Sequence, residues 1–97
     1  MPATFADVAR IARTAAADCR RLNLPSAAYV APLIALERAC VLAIIAERRS
    51  YVDLVRALGT RSVASRRGIT QRTVQRRFAC ALNEIVAFNE KRHAPDA

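Results

Sequence analysis

The chain has 97 residues, one domain's worth, which leaves no room for the large substrate cleft of most enzymes. Hydrophobic residues are 54% and charged residues 25%, a folding composition that excludes intrinsic disorder. Sixteen basic residues, fifteen of them Arg, face eight acidic ones for a net charge of +8, and a small domain this basic meets phosphate, in nucleic acid before an anionic membrane.

Two Gly, five aromatics and an abundance of Ala, Leu and Arg predict an all-α fold of about five helices. The N-terminus lacks the basic-then-apolar order of a secretory signal, so a cytoplasmic protein is expected. A first helix is predicted from Thr4 to Leu22, with Phe5, Val8, Ala12, Ala15, Cys19 and Leu22 on one face. Asn23-Leu24-Pro25-Ser26 is expected to be a break, with Pro25 stopping the first helix and Ser26 capping the next. The second helix is predicted over Ala27–Arg49, starting properly at Pro32. Leu33, Leu36, Cys40, Ala43 and Ile44 form its apolar face, widened by Ile34, Val41 and Ile45. Glu37 and Arg38 interrupt the run from Ala27 to Ala46, which makes it too short and too charged to cross a bilayer. It is expected to be buried, either as the domain's central strut or as half of a homodimer interface.

Ser50 and Asp53 resemble a capping box, predicting a separate short helix over Tyr51–Leu58 that stops at Gly59. Thr60 is expected to cap a helix over Arg61–Arg67, Gly68-Ile69 to form a turn, and Thr70 to cap a long last helix to Lys91. One helical domain over 1–97 follows, with an N-terminal hairpin at 1–49, a helix-turn-helix region at 50–91 and a tail at 92–97.

Charge is concentrated along the chain. Residues 1–47 hold five basic and four acidic residues, whereas 48–77 hold nine Arg against Asp53 alone. Uncompensated arginines at that density repel one another unless an anion neutralises them. Chemistry of other kinds finds no residues. Cys19, Cys40 and Cys80 are widely spaced and read as small core hydrophobes, and His93 stands alone in a polar tail. No nucleophile–base pair, carboxylate pair or Gly-rich phosphate loop is present, so no enzyme, metal or cofactor is expected.

The stretch from Thr60 to Ile85 meets the demands of a helix-turn-helix in one register. Ala64 supplies the small residue where two helices pack closely. Gly68 supplies the positive φ of the turn, and Val74 the apolar plug of the second helix. A register with the turn at Gly59 fails, because Ser65 would then be the plug.

Gly68, Thr70, Thr73, Val74, Phe78, Ala81, Leu82 and Ile85 resemble the pattern Gly-x-Ser/Thr-x-x-Thr-Val-x-x-x-apolar-x-x-Ala-Leu-x-x-apolar. That pattern belongs to the C-terminal, −35-reading domain of bacterial sigma factors; LuxR-type domains share much of it. The resemblance covers 26 of 97 residues, and Arg67 departs from the usual Leu before the turn. It implies a sigma-like transcriptional regulator of tetrahelical type, compact like those of phages and mobile elements, that binds double-stranded DNA. Thr70, Gln71, Arg72, Gln75 and Arg76 would face the bases, Arg72 and Arg76 suiting guanine and the glutamines adenine. Arg49, Arg61, Arg66, Arg67, Thr73 and Arg77 would contact phosphate or backbone. Phe78, Leu82 and Ile85 are expected in the core. The alternative is a regulator that acts mainly by binding RNA polymerase. RNA ranks below DNA because few aromatics interleave the basic window, and a membrane ranks lower still.

Overall fold

The computed structural model describes residues 3–93, with side chains to Arg92; the end of the tail at 94–97 lies outside the described residues. The described residues form four α-helices and one π-helical turn, with no strand among them. They divide into two compact units, 1–44 and 45–97.

In the first unit, α1 (Phe5–Arg21) starts where the sequence can satisfy its free N–H groups. Thr4 Oγ1 accepts from the Asp7 N–H and Asp7 Oδ2 accepts from the Thr4 N–H, both at 3.1 Å, which is a reciprocal capping box. Backbone and side-chain hydrogen bonds with Thr4, and then the Arg10 guanidinium, hold the Asp7 carboxyl below its ordinary pKa. The buried residues of α1 are Ala9, Ala12 and Ala16, so the face is rotated from the expected one: only Ala12 is shared, and Phe5 and Leu22 are exposed. Phe5 and Leu22 stand at the helix ends, where little chain can cover them, whereas alanines along the middle allow close backbone approach. The chain turns at Asn23, at φ 58°, within the break expected over 23–26, so α1 has ended before Pro25. Ser26 does not cap: Pro25 precedes a π-helical turn (Ser26–Val30) that has no side-chain cap. Arg13 Nε donates to Glu37 Oε1 at 2.9 Å, joining the middle of α1 to the next helix.

That next helix, α2 (Ala31–Leu58), is one continuous 28-residue helix with Pro32 in its first turn. The break expected at Ser50 is absent, and four helices replace the expected five. Neither Gly nor Pro interrupts Arg48–Tyr51, and Ile45, Val52 and Val55 are all buried on one face, so the apolar register runs straight through Ser50. The expected burial of Ala27–Ala46 is not found either: only Val30, Cys40 and Ile45 are buried there, and Leu36 and Leu42 are exposed.

In the second unit α2 ends at Gly59, whose φ of 83° suits glycine and whose N–H donates to the Val55 carbonyl at 2.7 Å. α3 (Thr60–Arg67) has Gly59 as its N-cap, not Thr60, and no side-chain cap. Thr60 instead accepts a hydrogen bond from a later helix. α3 closes on Gly68 in the left-handed conformation (φ 65°, ψ 34°). α4 (Gln71–His93) follows. Val55, Val63, Ala64 and Val74 form the core that joins these elements, with Tyr51, Leu54, Leu58, Ile69 and Phe78 packed against it. Val74 is fully buried and Ala81 nearly so; Phe78, Leu82 and Ile85 are half-buried rather than interior. Among the cysteines Cys40 is buried, Cys19 half-buried and Cys80 exposed, so Cys80 is no core residue: it falls on an edge of α4 away from Val74.

Candidate nucleic-acid interface

The first turn of α4 is fixed by its own side chains. Thr70 Oγ1 accepts from the Thr73 N–H at 3.2 Å, and the Thr70 and Thr73 hydroxyls are 2.8 Å apart. Gln71 Nε2 donates to Thr60 Oγ1 at 2.8 Å, tying the start of α4 to the start of α3. Three of the sequence-predicted contact residues (Thr70, Thr73 and Gln71) are therefore engaged within the chain.

Arg72, Gln75 and Arg76 are different. All three are exposed, and none makes a hydrogen bond or ion pair among the described residues. At 100° per residue Arg72 and Arg76 lie on the side of α4 opposite Val74, Phe78 and Ala81, Ala79 and Asn83 continue that side, and Gln75 stands at its edge, next to Phe78. The plug and the two arginines are thus two faces of the same two turns. Burying Val74 presents Arg72 and Arg76 outward together.

The arginines around them are mostly uncompensated. Of the nine in 48–77, only Arg48 has a carboxylate partner among the described residues, Glu84 at 2.7 Å. Arg49 donates to Asn89 Oδ1 at 3.2 Å, and Arg67 stacks 5.2 Å over the Tyr51 ring. Arg56, Arg61, Arg66 and Arg77 are exposed and, like Arg72 and Arg76, lack a carboxylate partner there. Arg67 does not occupy the interior place that Leu has in the sigma pattern; it lies against Tyr51 instead.

A cleft of about 1080 Å³ opens beside α4, lined by Arg48, Tyr51, Arg67, Arg76, Arg77 and Glu84, among others. It joins Arg76, expected at bases, to Arg67 and Arg77, expected at phosphate. Sequence reasoning missed Arg48 here, because its partner Glu84 is 36 residues away and no local pattern links them. It also missed the Tyr51 hydroxyl, which is buried without a hydrogen-bond partner.

No protein-family model, curated protein or solved structure matches this chain.

Proposed function

We propose that this protein is a cytoplasmic transcriptional regulator that binds double-stranded DNA, with α3 and α4 acting as a sigma-like helix-turn-helix and α4 entering the major groove. The observation that carries this reading is the pair Arg72 and Arg76 with Gln75. All three are exposed and unengaged, and the two arginines share one side of the first two turns of a helix whose opposite side is locked into the core, with Gln75 at the edge. A guanidinium in that position can pair two-pronged with a guanine edge, worth about 1–3 kcal/mol of discrimination. The uncompensated Arg61, Arg66 and Arg77 supply the surrounding phosphate contacts, and Arg67 does so from its stack on Tyr51. Gln71 and Thr70 act one step back, Gln71 by holding α3 to α4 and Thr70 by capping α4.

The test is fluorescence anisotropy on a random duplex and on the DNA upstream of the protein's own gene, across a salt series. Wild type is compared with Arg72→Ala and Arg76→Ala. Tighter binding to one sequence, a steep fall with salt and loss of preference in the variants support base reading. Weak binding everywhere, with variants equal to wild type, refutes it and makes RNA polymerase the partner to test.

A further inference from the structure

Three helices meet at the cleft beside α4, and each brings arginine to it: Arg48 on α2, Arg67 at the end of α3, and Arg76 with Arg77 on α4. Two of these guanidiniums are held by contacts that spare their outer N–H groups. Arg67 lies 5.2 Å over the Tyr51 ring, and a stacked guanidinium keeps its N–H edge free. Arg48 spends only Nε, on Glu84 Oε2 at 2.7 Å, so its two terminal nitrogens have no partner among the described residues. Arg76 and Arg77 have no hydrogen bond or ion pair there at all. Like charges gathered in one concave place repel one another unless an anion joins them.

We infer that this cleft binds a small phosphate ester with a multiply charged head, a nucleoside triphosphate, through Arg48, Arg67, Arg76 and Arg77. Charge, size and lining each favour it. Four arginines against Glu47 and Glu84 leave two positive charges, more than a single phosphodiester neutralises and suited to the terminal phosphates of a nucleotide. Guanidinium forks take phosphate oxygens two at a time. The volume of about 1080 Å³ is at the top of the ~300–1,000 Å³ of small-molecule clefts, so it holds a body as well as a phosphate head. For that body the lining offers apolar contact from Leu54 and Ala81, and carboxylate acceptors for sugar hydroxyls or base amino groups.

A duplex is the competing source of phosphate. Its phosphodiesters stand on a convex backbone and carry one charge each, whereas Arg48 is half-buried in the wall of the cleft. Nucleotide binding does not rest on the DNA reading. One consequence does: Arg67, Arg76 and Arg77 would serve both ligands, so nucleotide would displace a duplex.

The test is calorimetric titration of the whole chain with ATP, without DNA, at about 0.15 M salt, and it should give one saturable site. Arg67→Gln and Arg77→Gln should each weaken binding at least about tenfold. Arg56→Gln, which removes the same charge from an exposed place outside the cleft, should leave it unchanged. Inorganic triphosphate and citrate should each bind at least about tenfold more weakly than ATP. Cys80 lines the cleft and is exposed, so ATP should slow its alkylation, followed by peptide mass mapping with the half-buried Cys19 as reference. Far-UV circular dichroism checks that each variant keeps its helices. Absence of saturable ATP binding overturns the inference. So does equal weakening by Arg56→Gln, which would show diffuse attraction to a basic protein. Citrate as tight as ATP overturns the phosphate assignment, and triphosphate as tight as ATP overturns the nucleoside. Protection of Cys80 by a duplex but not by ATP gives the cleft to DNA. ATP that protects Cys80 yet leaves a duplex complex intact refutes the shared use of the arginines.

Discussion

Truncating Val74 tests the packing on which the proposed reading face depends. Val74 is fully buried, in one cluster with Val55, Val63 and Ala64. Val74→Ala removes two methyl groups from that cluster, a transfer loss of about 1.6 kcal/mol at ~0.8 per group. The residual cavity raises the cost to about 2–3 kcal/mol. That is a large part of the ~5–15 kcal/mol that holds a domain together. Val74→Ile changes volume in the opposite direction, and in a filled core it costs about 1–3 kcal/mol through overpacking. Urea denaturation followed by circular dichroism measures both, and an unchanged slope shows that the loss is in stability rather than in cooperativity. If α4 binds DNA as proposed, the folded fraction of Val74→Ala should keep that affinity, because Arg72 and Arg76 are on the other side of α4. The packing argument fails if Val74→Ala costs less than about 0.5 kcal/mol, or if Val74→Ile stabilises; the second result would reveal a void beside Val74.

Three further perturbations read other parts of the chain. Tyr51→Phe should be neutral, or stabilise by up to about 1 kcal/mol, because it deletes a buried hydroxyl that has no partner; a loss above about 1 kcal/mol in the same urea assay would show that the hydroxyl is bonded. Gly68→Ala should cost about 1 kcal/mol from the left-handed backbone alone, since an added Cβ meets nothing within 4 Å, and Gly68→Asn should recover part of it; equal stability of all three would contradict the αL turn. Asp7 should titrate below the ordinary carboxylate value by NMR: with a lowered folded-state pKa, its capping contribution is present above the unfolded-state value and lost as pH falls through the folded one. An Asp7 pKa at or above the ordinary value would show that the capping box does not form in solution.

The all-α class was legible because helix signals in this chain are local: few glycines, long apolar periodicities, and Gly59 and Gly68 at real helix ends. Val74, Ala64 and Gly68 were placed by the short-range spacing of the turn, and the structure puts them in the core and in the αL position. Ser50 misled because a serine three residues before an aspartate looks like a cap, yet a cap needs a non-helical backbone, and continuous burial of Ile45, Val52 and Val55 keeps this one helical. The stripe on α1 was misplaced because hydrophobicity ranks Phe5 and Leu22 above alanine, whereas packing against a close neighbour selects alanine. Long-range partners left no trace in the local pattern: Gln71 with Thr60, Arg49 with Asn89 and Arg48 with Glu84 are 11, 40 and 36 residues apart.

Those partners divide the arginines into two kinds, and salt dependence separates them. Each phosphate neutralised contributes a slope of about −0.9 to the plot of log affinity against log salt, so on the proposed DNA-binding reading contacts by Arg61, Arg66, Arg67 and Arg77 would give roughly −3.6. Arg61→Ala or Arg66→Ala should weaken binding equally on every duplex and reduce the slope by about 1, because neither side chain has another partner among the described residues. Arg49 is already committed to Asn89, so Arg49→Ala should change the slope little while lowering stability slightly. Arg72→Ala should act differently from both, collapsing the preference for one sequence while leaving most of the slope in place. Anisotropy titrations on two duplexes at four salt concentrations resolve these patterns. If Arg72→Ala behaves like Arg66→Ala, lowering the slope without touching the preference, then α4 lies along the backbone and its outer face does not read bases.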